Sequence, residues 1–167
     1  MNEADALDAR VLAHLERAGV PYEVVQIDPA FADTASFCAH YGFAMEKSVN
    51  TIIVASKKEP KVYAACAVTA TTRLDVNHKV KELMGVQRLS FADADETVAL
   101  TGMKVGGVTV FALPPGMPIY VDERVMACDR VILGGGGRST KVHILPEVFN
   151  RIQGVRVVSG LATPRTQ

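Results

Sequence analysis

Two glycine-rich stretches set the tightest limit on what this chain can fold into. Gly106-Gly107 precede Val108-Thr109, and Gly134-Gly135-Gly136-Gly137 lie between Val131-Ile-Leu133 and Arg138-Ser-Thr-Lys141. Each puts bare backbone beside β-branched or apolar residues that read as strand. Glycine admits φ > 0 and lets another group approach the main chain, at an entropic cost that needs a reason. Two such places in 167 residues point to a pocket walled by peptide N–H and C=O groups more than by reactive side chains.

The rest of the chain alternates in type. Apolar positions Leu7, Val11, Leu12 and Leu15 predict a helix over 4–18, stopped by Gly19. Tyr22–Ile27 reads as a strand, and Asp33-Thr34 caps a short helix ended by Gly42. Residues 50–55 and 62–69 are β-rich runs joined by the charged 57–61, a hairpin-like pair. Helices are expected over 75–84, ended by Gly85, and from Asp93 or Asp95 to Gly102. Short strands are expected around 107–112, 118–122, 130–134, 140–144 and 155–158, with a helix begun by Pro146 and a frayed tail from Thr163. The expected architecture is α+β (mixed α/β): one domain over 1–167, its core about 5–160, with helices flanking a sheet.

Composition excludes some classes. Lysines and arginines equal aspartates and glutamates at 18 each, which argues against a wide nucleic-acid groove but not against a basic patch gripping one end of a strand. Cys38, Cys66 and Cys128 are odd in number and sit among apolar residues, so they read as reduced thiols of a cytoplasmic protein. The opening Met1-Asn-Glu-Ala-Asp5 reads as no signal peptide. No apolar run approaches ~18 residues, so no membrane association is expected.

The glycine motifs fail the familiar tests. A phosphate loop would need glycine at 132 and lysine at 138, where Ile132 and Arg138 stand. A dinucleotide fingerprint would need glycine at 139, where Ser139 stands. What remains is flexible backbone followed by Arg138, which can fork onto a phosphate or carboxylate, and Lys141, a point charge. A glycine-rich turn with two solvated cations explains that segment equally well. Gly106-Gly107 reads either as an oxyanion-binding bend or as a strand bulge. Side-chain catalysts are scarce. His14 is expected on the surface, Cys38 and His40 point apart on a helix, and Asp122 and Glu123 diverge on a strand. No His, Cys or carboxylate spacing fits a metal, and no cofactor is expected.

Leu100-Thr-Gly-Met-Lys-Val-Gly-Gly-Val-Thr109, Pro118-Ile-Tyr-Val-Asp-Glu123 and Val131-Ile-Leu-Gly-Gly-Gly136 resemble the YbaK-like family of prolyl-tRNA-synthetase-associated editing domains. So do Leu74-Asp75, Leu83-Met-Gly85 and Asn50-Thr-Ile-Ile-Val-Ala55, and their order extends the likeness over roughly residues 5–160. The resemblance implies a mixed, partly closed sheet flanked by helices. It also implies an aminoacyl-tRNA deacylase that hydrolyses the ester of a mischarged small amino acid at the tRNA 3′ end, without metal or covalent intermediate. In that family, backbone of a Gly-x-x-Pro loop positions the ester carbonyl and water, a ribose hydroxyl of the substrate assists, and the larger, correct amino acid is excluded. Here the loop matches Gly107-Val-Thr-Val110, with Val110 in the proline's place. Asn50 stands where the family carries lysine, and the nearest lysine is Lys47.

On this likeness Gly106, Gly107, Val108 and Thr109 are the candidate catalytic backbone. Lys47, Asn50 and Thr51 are candidates for the terminal nucleotide, and Gly134, Gly135, Gly136, Arg138 and Lys141 for substrate and phosphate. Candidate pocket walls are Phe37, Val49, Ile52, Met103 and Phe111. The expected partner is the tRNA 3′ end, delivered by an aminoacyl-tRNA synthetase or elongation factor. The alternative function is a non-catalytic module that binds a tRNA end, nucleotide or protein through the same cleft.

Overall fold

The computed structural model describes residues 8–165. Helix α1 (Ala9–Ala18) turns Val11 and Leu15 into the core, and Asp8 caps it by accepting from the Arg10 N–H at 2.9 Å. Gly19 closes it at φ 71, donating to the Leu15 carbonyl. The expected helical residues 4–7 lie outside the described residues. Strand β1 (Tyr22–Gln26) and helix α2 (Thr34–Tyr41), ended by Gly42, follow as the sequence predicts.

Strands β2 (Val49–Ser56) and β3 (Tyr63–Thr69) pair antiparallel, from Val49 opposite Thr69 to Ala55 opposite Tyr63. With β5 (Leu89–Phe91), β6 (Ile119–Asp122) and β9 (Val155–Val158) they build a five-stranded sheet in the order β5-β2-β3-β6-β9. β6 runs parallel to both β3 and β9, so the sheet is mixed as expected. The central strand β3 is buried on both faces, as its unbroken run of small apolar residues requires. Ala65 and Ala67 join one core with Phe111 and Phe149, while Ala64 and Cys66 join another with Leu74 and Leu161.

A second, antiparallel sheet orders β1, β8 (Thr140–Ile144) and β7 (Val131–Gly134), and a third pairs β4 (Thr72–Leu74) with β10 (Ala162–Pro164). Among the described residues a single parallel bridge, between Ser48 and Ile132, joins the first two sheets, and no barrel closes. Helices α3 (Lys81–Met84), α4 (Ala94–Thr101) and α5 (Glu123–Met126) complete the mixed α/β architecture, α3 being led in by a wide π-turn at Val76–Val80.

Four expectations need correction. Residues 107–112 form no strand: Val110 and Phe111 are fully buried, but in an irregular loop flanked by Gly106 (φ 86) and Ala112 (φ 70). Their apolar character signals burial, which periodicity cannot tell from pairing in so short a run. The Ala112 N–H donates to Nδ1 of His14 at 3.0 Å, so that histidine is half-buried and holds the turn. Thr163 and Pro164 do not fray but pair with β4, and Pro146–Arg151 is a 3-10 run that buries Val148 and Phe149.

The two glycine stretches prove to be one feature, a crossing of two backbones. A β-carbon on Gly107 would strike the Gly137 carbonyl, and one on Gly134 would lie 2.6 Å from the Gly107 carbonyl oxygen. The Gly136 N–H donates to the Gly107 carbonyl at 2.7 Å, and the Lys104 N–H to the Gly136 carbonyl at 3.1 Å.

Candidate active site

Beside this crossing opens a cavity of about 360 Å³, walled by the start of α2, the first half of β2, α4 and the loop 105–108. Of the residues singled out in the sequence, Asn50, Thr51, Gly106, Val108, Gly134 and Lys141 meet there. Val49 and Ile52 line it too, whereas Phe37, Met103 and Phe111 belong to the packed interior.

Lys141 is the dominant charge. It is 6% exposed, and its Nζ donates to the carbonyls of Ala32 at 2.8 Å and Gly106 at 3.1 Å, with the Phe37 ring centroid 5.3 Å away. Burial pushes its ammonium down from the ordinary 10.5 to about 8. An ammonium has three donors, so two carbonyls leave one N–H for a ligand. Among the described residues no carboxylate forms an ion pair with it. A buried cation without a counter-ion invites negative charge.

The loop is held by three consecutive carbonyls. Arg138 Nη1 donates to Val105 at 2.7 Å, Lys141 to Gly106, and the Gly136 N–H to Gly107. This clamp fixes the loop backbone at three successive residues. Gly107 itself is fully engaged, since its N–H donates to the Lys104 carbonyl at 2.8 Å. By contrast, the N–H groups of Gly106 and Val108 have no acceptor among the described residues, and both residues line the cavity. In a trans peptide, N–H and C=O point opposite ways, so fixing the Gly107 carbonyl on Gly136 turns the Val108 N–H to the other side.

Several expected site residues have other places. Arg138 uses its second nitrogen on the Pro29 carbonyl at 2.9 Å, so its guanidinium ties loops together. Lys47 does not line the cavity; its Nζ pairs with Asp129 at 2.9 Å on the surface, which holds its ammonium above the ordinary range. Gly135 and Gly136 are buried in the crossing. Thr109 is completely buried, and its hydroxyl has no hydrogen-bond partner among the described residues. Thr109→Val should therefore stabilise the protein by about 1 kcal/mol, the order of the cost of a buried hydroxyl left unpaired. An upward shift in the urea midpoint at unchanged slope is the measurement.

Sequence reasoning assigned Asp33 and Thr34 no more than a capping role, yet both border the cavity. The Thr34 hydroxyl donates to Asn50 Oδ1 at 2.6 Å, fixing the amide that stands at the family's lysine position. A legible signal for Lys141 was its alternation with Val142 and Ile144 on a strand, which puts it on the face opposite those two core residues.

The family model for the aminoacyl-tRNA editing domain matches residues 28–152, a span that contains every residue lining the cavity. Among solved structures, the hypothetical protein APE2540 is 27% identical, with a TM-score of 0.81 over 92% of this chain and 99% of that one. A candidate trans-editing enzyme for prolyl tRNA synthetase is 22% identical, with a TM-score of 0.78 over 95% of this chain and 97% of the other.

Proposed function

We propose that this chain, which belongs to the aminoacyl-tRNA editing domain family, hydrolyses the ester joining a mischarged small amino acid to the 3′ end of a tRNA. The observation that carries this reading is the buried Lys141 ammonium on the cavity wall, held by two carbonyls and lacking a carboxylate partner among the described residues. The solved fold of a candidate trans-editing enzyme supports it.

The route draws on water and the chain's own donors. Water oxygen adds to the ester carbonyl carbon, and the negative charge that develops on the carbonyl oxygen meets the remaining Lys141 N–H and the Val108 N–H. The bond from carbonyl carbon to ribose oxygen then breaks, the ribose oxygen takes the proton that the attacking water gives up, and amino acid and tRNA depart. A donor placed where charge develops contributes roughly 3–4 kcal/mol in acyl transfer. Asn50, its oxygen fixed by Thr34, offers its amide N–H groups to the terminal nucleoside. Delivery of the tRNA by a synthetase or elongation factor belongs to the same reading.

The test is deacylation of tRNAs mischarged with alanine, serine, threonine and cysteine. Release of one of them well above the spontaneous rate is expected, with Lys47→Ala and Thr109→Val matching wild type. Failure to release any of them while the tRNA remains bound would overturn the enzyme reading and leave a binding module.

A further inference from the structure

A second hollow, of about 580 Å³, shares Asn50 and Ile52 with the first and runs past β4 and β10. Its walls combine features that neither packing nor the proposed chemistry uses. Phe91, on the edge strand β5, is 56% exposed although it is a large aromatic. Arg73 on β4 and Arg165, just beyond β10, come from paired strands, Thr163 lying opposite Arg73 in the register. Among the described residues neither guanidinium has an acidic partner. Arg165 spends its Nε on the Thr72 carbonyl at 3.2 Å, keeping its terminal nitrogens. Asp75, a carboxylate lining the hollow, is engaged by the His78 N–H at 3.2 Å and the His78 ring at 3.3 Å.

We infer that this hollow is a track for single-stranded RNA: Phe91 stacks a base, and Arg73 and Arg165 contact phosphates of the unpaired nucleotides preceding the esterified 3′ end. The inference rests on the deacylase reading, because the shared residues Asn50 and Ile52 make the track continuous with the cavity proposed for the terminal nucleoside. An aromatic face beside unpaired guanidiniums is what a flexible single strand requires, since every base has a face to stack and every linkage a charge. A chain of zero net charge thereby acquires a local grip on one strand end without a wide basic surface.

The test uses a fluorescently labelled acceptor-stem minihelix ending in an unpaired 3′ strand, with binding followed by anisotropy over a salt series. Arg73→Gln with Arg165→Gln should lower the slope of log K against log salt by about 1.4, the contribution of two single-strand phosphates. Phe91→Ser should weaken binding roughly tenfold with the slope retained. Arg73→Lys with Arg165→Lys should keep the wild-type slope, which separates charge from misfolding. Hydrolysis of aminoacyl-adenosine, which lacks the upstream nucleotides, should be unchanged in all three variants. Binding and slope equal to wild type in the glutamine variant would overturn the track. Wild type that hydrolyses neither aminoacyl-adenosine nor aminoacyl-tRNA would instead defeat the deacylase reading, while the binding data still decide the track.

Discussion

Above about pH 8 the wild-type deacylation rate, corrected for spontaneous hydrolysis, is expected to fall about tenfold per pH unit, as Lys141 gives up its proton. The cause is burial: two carbonyls and an aromatic face replace water around the ammonium, and neither neutralises it. Stability must follow the same titration. Between about 8 and the ordinary 10.5 the unfolded chain holds the Lys141 proton and the folded chain does not. Folding is therefore penalised increasingly as pH falls through that window, and the full penalty of about 3 kcal/mol applies below it. Wild-type stability should thus gain an increment from Lys141 between pH 8 and 10.5, which Lys141→Met should lack. At pH 7 the methionine variant should unfold near the wild-type midpoint. Relief of the buried charge is offset there by two carbonyls left without their donor, at about 1–3 kcal/mol each. Denaturant titrations of both proteins at pH 7, 8, 9 and 10 check the sign, and the absence of a difference in slope would refute the linkage.

Gly134→Ala is expected to destabilise the protein strongly, because it places a methyl inside the crossing of the two glycine stretches. The added carbon would lie 2.6 Å from the Gly107 carbonyl oxygen and 2.7 Å from that of Val108, distances that real β-carbons do not tolerate. Both obstacles are backbone, so relief requires the two chains to part, which opens the Gly136–Gly107 hydrogen bond and the cavity wall beside it. Overpacking commonly costs about 1–3 kcal/mol, and a backbone obstacle puts this case at or above the upper end. Gly137→Ala is the internal control. It lies three residues away, its β-carbon would meet nothing within 4 Å, and its φ is not in the left-handed region. Urea midpoints should place Gly137→Ala within about 0.5 kcal/mol of wild type. Equal losses in the two variants would mean that the crossing is not what the glycines serve.

The fold was legible wherever one local rule decided the outcome. Gly42 at the end of α2, or the paired β-rich runs that became β2 and β3, carry their structure in a few adjacent residues, whereas Asp33 stands at the start of α2 without a capping hydrogen bond from its side chain. Residues 107–112 were misread because Val110 and Phe111 answer to a core assembled from distant segments, and the turn that places them depends on His14, ninety-eight positions from its partner Ala112. The site followed the same division. That glycine backbone would border the cavity was readable, and Gly106 and Gly134 lie on its wall. Which cation enters was readable only in part: alternation with Val142 and Ile144 sets Lys141 apart, but its reach to the cavity depends on the strand pairing with β1, and Lys47 lies closest in sequence to the family's lysine position. Arg138 looked like a phosphate ligand because its two carbonyl acceptors, Val105 and Pro29, come from separate loops. Long-range partners of that kind leave no mark in the local pattern.

The most direct test of Lys141 as the cation at the ester carbonyl is the single-turnover rate constant of Lys141→Met at pH 7, set beside wild type and Lys47→Ala. The substrate is whichever mischarged tRNA the wild type clears. The account predicts a loss of about 100-fold or more in the methionine variant, the usual cost of removing an oxyanion donor, with Lys47→Ala at the wild-type rate. A methionine variant as fast as wild type, or a comparable loss in Lys47→Ala, would contradict it.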